Sequence, residues 1–136
     1  MMALNFYFSI LLCMIFMHII DDFVLQPICL SKLKQKETWE EYCEKNDKPF
    51  NLYQNDYKVA LLIHSLSWSI AIIIPWLLIA SNLIGRLAVI TVIVNTLIHF
   101  MVDDLKANHY KINLATDQIT HFIQILLTWI FLVVAI

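Results

Sequence analysis

The stretch HIIDDFVLQP, residues 18–27, closes an almost wholly apolar run from Ala3 to Met17. A helix ending this way sets a histidine and two carboxylates against hydrocarbon. Such groups are costly in or near lipid unless they have a partner or a task. With 60% hydrophobic residues, 15% charged residues and a single glycine, the chain falls far outside soluble composition and reads as an all-α integral membrane protein. A formal net charge of −2 leaves no basic surface for nucleic acid. Cys13, Cys29 and Cys43 form no CxxC pair, so neither a disulfide framework nor a cysteine metal site is expected.

A bilayer core needs about 20 apolar helical residues, and four runs come near that length. They predict transmembrane helices over roughly 2–25, 59–80, 83–104 and 117–136, a single four-helix bundle domain with a polar loop over 28–58. The first run lacks a basic start and a small-residue cleavage site, and reads as a span rather than a signal peptide. Pro75 predicts a kink in the second span, and Pro27 predicts that span one stops near Gln26. The polar loop mixes six lysines with six acids between Ser31 and Lys58. Trp39, Tyr42 and Cys43 would share one face of a helix there, so a short surface helix and a plain solvated loop both fit.

The first and third loops hold all eight lysines, while the opposite side holds only Arg86, read as an anchor for span three. The positive-inside rule then puts both lysine-rich loops in the cytoplasm, the inner membrane around the bundle and both termini outside. On that topology His18, Asp22, His64, His99, Asp103, Asp117 and His121 fall in one layer at the cytoplasmic ends of the four spans. His109 lies in the third loop, apart from them. His18 and Asp22, His99 and Asp103, and Asp117 and His121 are each four apart, a spacing that shares one helix face. Helical bundles build metal sites from such inward pairs on facing helices. These seven residues are therefore the candidate ligands.

Gln26, Gln118, Asp21 and Asp104 are candidates to orient the ligands by hydrogen bonds. Asp21 and Asp104 would otherwise face water or stand in for a neighbouring acid. Asp22 and Asp103 are candidate catalytic acids or bases, and Lys106 a candidate to hold an anionic group of a substrate. A shift of 81 residues lays His18 on His99 and Asp22 on Asp103, a weak internal repeat that fails where Ala60 meets Asp117. For each residue alone a bland role is open: a histidine bonded to a neighbour, a wet aspartate, or Asp117 as a helix cap.

The series HIIDDFVLQ, LLIHSL, HFMVDDLK and DQITH resembles an uncharacterised family of small bacterial and phage four-helix membrane proteins, with the pattern HxxxDFxLQ, an isolated His, HxxxDxxK and DQxxH in order. The resemblance implies the fold but no activity. The arrangement is also similar to membrane-bound metal-dependent hydrolases. Asp21, Asp104 and the long first loop depart from the pattern.

Imidazole with carboxylate suits zinc, manganese, iron or nickel, and seven candidate ligands allow one divalent ion or two. Three functions follow. The first is a metal-dependent hydrolase acting on a phosphoester or lipid-like substrate at the cytoplasmic leaflet. The second is a metal-ion or proton transporter, against which the outer half of the bundle is expected to lack a polar path. The third is a phage-type interaction protein whose polar cluster merely fixes helix packing. Membrane lipids are the expected surroundings, and so thin a bundle suggests a homo-oligomer. One glycine leaves no phosphate-binding loop.

Overall fold

The computed structural model of the chain describes residues 2–26, 28–79 and 85–135. Among these there is helix and no strand. Helix α1 (Met2–Ile19) runs directly into a π-helical turn (Ile20–Leu25). Two short helices follow, α2 (Ile28–Leu33) and α3 (Lys36–Lys45), then a 3₁₀ turn (Phe50–Leu52), and the long helices α4 (Asp56–Ile79), α5 (Gly85–Ala107) and α6 (Leu114–Ala135). The stretch expected as a loop or a single surface helix is thus two helices, packed on each other and on α4. Pro27 and residues 80–84 lie outside the described residues, as does the side chain of Arg86.

α1 packs against α4 and α6, and α5 packs against the same two, so the long helices close into a ring. At 24 residues, α4 is roughly 36 Å long, enough to cross a hydrocarbon core of about 30 Å. Four segments of this ring are long and apolar enough to cross a membrane. α4 continues through Pro75 as one helix. Gln26 is extended (φ −78°, ψ 101°), as a residue before proline should be, and span one ends at Leu25.

The polarity of the bundle is inverted. Phe16, Leu78, Val89, Ile93, Leu127 and Val134 are exposed on its outside, while Ser65, Ser69, Asn95, His99, Asp103 and His121 are buried. Water would penalise that outer surface, and lipid does not. Ile10, Met14, Trp68, Ile72, Trp76, Ile125 and Leu132 form the apolar core. Each tryptophan in it has an internal partner for its N–H: Trp76 donates to Met14 Sδ (3.2 Å), and Trp129 at its edge to Tyr7 O (2.8 Å). In a medium without water, such bonds cannot be left to solvent.

Three of the helices reach past their expected ends on the lysine-rich side. α4 begins at Asp56, α5 ends at Ala107 and α6 begins at Leu114. Asp117 therefore does not cap α6 but lies one turn inside it. Asn113 is the cap, accepting the Thr116 backbone N–H on its Oδ1 at 2.9 Å. The correction matters, because a carboxylate spent on capping would be lost to the interior.

Candidate metal centre

The π turn sets the first acids. Widening one helical turn brings consecutive residues, Asp21 and Asp22, to the interior together, and such turns recur at functional sites. Asp21 accepts the Ser67 hydroxyl at 2.9 Å, and its other oxygen lies 3.7 Å from His64 Nδ1. Asp22 Oδ1 stands 3.5 Å from His64 Nε2, while Asp22 Oδ2 accepts Gln118 Nε2 at 3.2 Å. Asp21, expected as an accessory acid, is thus part of the buried layer.

The imidazoles meet at its centre. His64 Nε2 and His99 Nε2 are 3.2 Å apart, and the His99 and His121 rings stack with centroids 4.1 Å apart. Asp103 Oδ1 lies 3.6 Å from His99 Nε2 and 3.4 Å from His121 Nε2, and Asp103 Oδ2 lies 3.6 Å from His64 Nε2. Two groups of three donors, Asp22/His64/His99 and His99/Asp103/His121, each fit within 4.8 Å. These buried His/Asp groups could hold a metal ion. A tetrahedral ion with bonds of about 2.0–2.1 Å spaces its ligand atoms roughly 3.3–3.4 Å apart; the separations of Asp103 Oδ1 from His99 and His121, and of His64 from His99 and Asp22, lie near that value. Several of the atoms also lack hydrogen bonds inside the protein: both His121 ring nitrogens, Asp22 Oδ1 and Asp117 Oδ1 are buried without a partner. Buried polar atoms are costly in that condition, and a cation would satisfy them.

Two expected ligands stand differently. His18 is fully buried, but its Nδ1 accepts the Trp68 indole N–H at 2.7 Å. A neutral imidazole has one lone pair, so this bond leaves His18 Nε2 as an N–H with none to offer a metal. Asp117 Oδ1 is 3.3 Å from His121 Nε2, and its Oδ2 accepts Lys106 Nζ at 2.6 Å. Asp117 Oδ1 thus faces the same His121 nitrogen as Asp103 Oδ1, while its other oxygen is held by Lys106. Of the remaining residues, Gln118 bridges Asp22 and Asp117 (3.2 Å each). Gln26, with its amide turned to satisfy both ends, donates to the Asp22 carbonyl at 3.3 Å and accepts Lys34 Nζ at 3.0 Å. Asp104 faces away, accepting Asn108 Nδ2 at 2.8 Å with His109 Nε2 at 3.3 Å.

Comparison with protein-family models, curated proteins and solved structures finds no match. The site must therefore be read from its own geometry.

Sequence reasoning missed three members. Lys34 comes from the end of α2 and places Nζ 2.6 Å from Asp103 Oδ2, with only 8% of the residue exposed. Nothing in a loop of six lysines marks that one. Ser67 and Trp68 were legible in principle, since they stand three and four residues after His64 and so share its helix face. Lys106, three residues after Asp103, pairs instead with Asp117.

A cleft of about 380 Å³ opens beside the cluster at the lysine-rich end, with Asp22, Lys34, His64, Asp103, Lys106, Asp117 and Gln118 in its wall. In the other direction the expectation of a purely apolar path needs correcting. Gln124 Nε2 donates to Asn95 Oδ1 (2.8 Å), and Thr128 Oγ1 donates to the same atom (3.1 Å). The polar interior thus continues about two turns beyond His121. Thr91, whose carbonyl accepts Asn95 Nδ2 at 2.9 Å, is buried beside them.

Proposed function

We propose that the protein is a membrane-embedded, metal-dependent hydrolase acting on a phosphoester or lipid-like substrate at the cytoplasmic leaflet. The observation that carries this reading is the pair of buried His/Asp donor groups, Asp22/His64/His99 and His99/Asp103/His121, that share His99 behind an open polar cleft. His99, Asp103 and His121 would hold one divalent ion, with Asp22, His64 and His99 as the adjoining donor group; zinc, manganese and iron all suit such donors.

A charge count favours one ion over two. Asp21, Asp22, Asp103 and Asp117 face Lys34 and Lys106 in the layer, so neutral imidazoles leave an excess of two negative charges. One divalent cation cancels it. When bound, such an ion supplies Lewis acidity at the cleft wall. Asp22 then has the properties of a general base. Its Oδ1 is buried without a hydrogen-bond partner, its Oδ2 is oriented by Gln118, and the residue lines the cleft. Lys106 lies in the same wall and would meet an anionic group.

The polar ladder through Gln124, Asn95 and Thr128 favours metal-ion passage as a second reading, although the bundle also holds a buried apolar core that includes Ile72, Trp76 and Leu132. Elemental analysis of the purified protein should find about one transition-metal ion per chain, lost in His99→Ala and His121→Ala. A metal-free wild-type protein would sink both readings. With metal present, Asp22→Asn should abolish turnover of a phosphoester panel by the hydrolase; loss of ion flux into vesicles, with no turnover by the wild type, would favour passage.

A further inference from the structure

Lys34 has no place in a purely metal-binding site. Lysine is rarely buried without reason, and this one is delivered on purpose-built scaffolding. Asn108, at the end of α5, donates its Nδ2 to the Lys34 carbonyl (3.1 Å) and accepts the Lys36 backbone N–H on Oδ1 (2.7 Å). These bonds pin the α2–α3 junction over the cluster. The ammonium then has Asp103 Oδ2 at 2.6 Å and Gln26 at 3.0 Å. An ammonium carries three N–H donors, so one remains, on a residue in the cleft wall. Lys106 likewise has one carboxylate, Asp117, against three donors, and stands in the same wall.

We propose that Lys34 and Lys106 together form a receptor for a phosphate group, competent only once a divalent cation occupies the His/Asp cluster. This deepens the hydrolase reading and rests on its metal. Without the ion, and with the imidazoles neutral, the excess of two negative charges in the layer repels an oxyanion from the spare donors of both lysines. With the ion, Asp103 shares its charge with the metal, the excess is cancelled, and both lysines have donors to spare for phosphate oxygens. Binding is therefore ordered: cation first, phosphate second. A free phosphate and the phosphate of a lipid headgroup present the same chemistry to this pair.

The test uses the full chain in detergent, with calorimetric titration of inorganic phosphate into zinc-loaded and chelator-stripped protein. Zinc should tighten phosphate binding by about tenfold or more. Lys34→Met keeps the length of the side chain and should weaken phosphate binding about tenfold, the scale of one lost charged hydrogen bond, while retaining zinc, which also reports that the variant folds. Lys34→Arg should recover most of the loss. Titration with dioctanoyl phosphatidic acid separates the sources: tighter binding than phosphate identifies a lipid headgroup, and equal or weaker binding a free phosphate. Phosphate binding that is indifferent to zinc or unchanged in Lys34→Met overturns this receptor and leaves the metal reading intact. A wild-type chain that takes up no zinc overturns both.

Discussion

At the scale of single residues, the bond from Trp68 to His18 divides the histidines into two kinds. His64, His99 and His121 belong to the two donor groups, whereas His18 has its lone pair occupied. His18→Ala should therefore keep the bound metal that His99→Ala loses, and side-by-side elemental analysis checks it. Trp68→Phe removes the donor but keeps the ring, leaving His18 Nδ1 buried without a bond. A cost of about 1–3 kcal/mol is expected for such a group, visible as a lower unfolding temperature in detergent with metal content preserved. The 81-residue repeat fails at the same point. It equates His18 with His99, yet one is bonded to an indole and the other belongs to both donor groups.

At the scale of elements, the four long helices were legible because apolar length alone marks them. The π turn was not. Its existence depends on Asp21 and Asp22 both finding partners, Ser67 and Gln118, on other helices, and no local pattern encodes that. The α2–α3 unit was half legible: the face shared by Trp39, Tyr42 and Cys43 pointed to a helix, and Cys43 is indeed buried there while Trp39 stacks on Tyr53 with centroids 6.0 Å apart. Its docking onto α5 through Asn108 spans more than 70 residues of sequence. Asn108→Ala should free this unit without loosening the bundle. Hydrogen exchange should rise in 28–45 and stay unchanged in α4 and α6; equal protection in the variant would show that Asn108 does not hold the unit.

At the scale of the whole molecule, the apolar outer surface and four helices long enough to cross a membrane are what a bilayer would require. Leu127 is exposed on the outer face of α6, and a lysine there would meet hydrocarbon. Leu127→Lys should cost about 3–4 kcal/mol of insertion free energy, read as a reduced membrane-integrated fraction. Cys29 and Cys13 are both exposed on the protein surface, but Cys29 lies at the lysine-rich end and Cys13 in mid-span. A membrane-impermeant maleimide should label Cys29 in inside-out vesicles and not in whole cells, leaving Cys13 untouched in both. Labelling of Cys29 from the outside would reverse the proposed orientation.

Hydrophobic length, lysine placement and four-residue spacing act within one segment, so the sequence alone determined four apolar helices long enough to cross a membrane and a His/Asp layer at one end of them. Which histidines share a centre, which carboxylate each lysine holds and how far the polar interior runs depend on side chains from separate helices meeting. Those pairings are set by helix rotation, by the π turn and by the docking of α2 and α3. Only the tertiary structure decides them, because contact energies between distant segments leave no periodic trace along the chain.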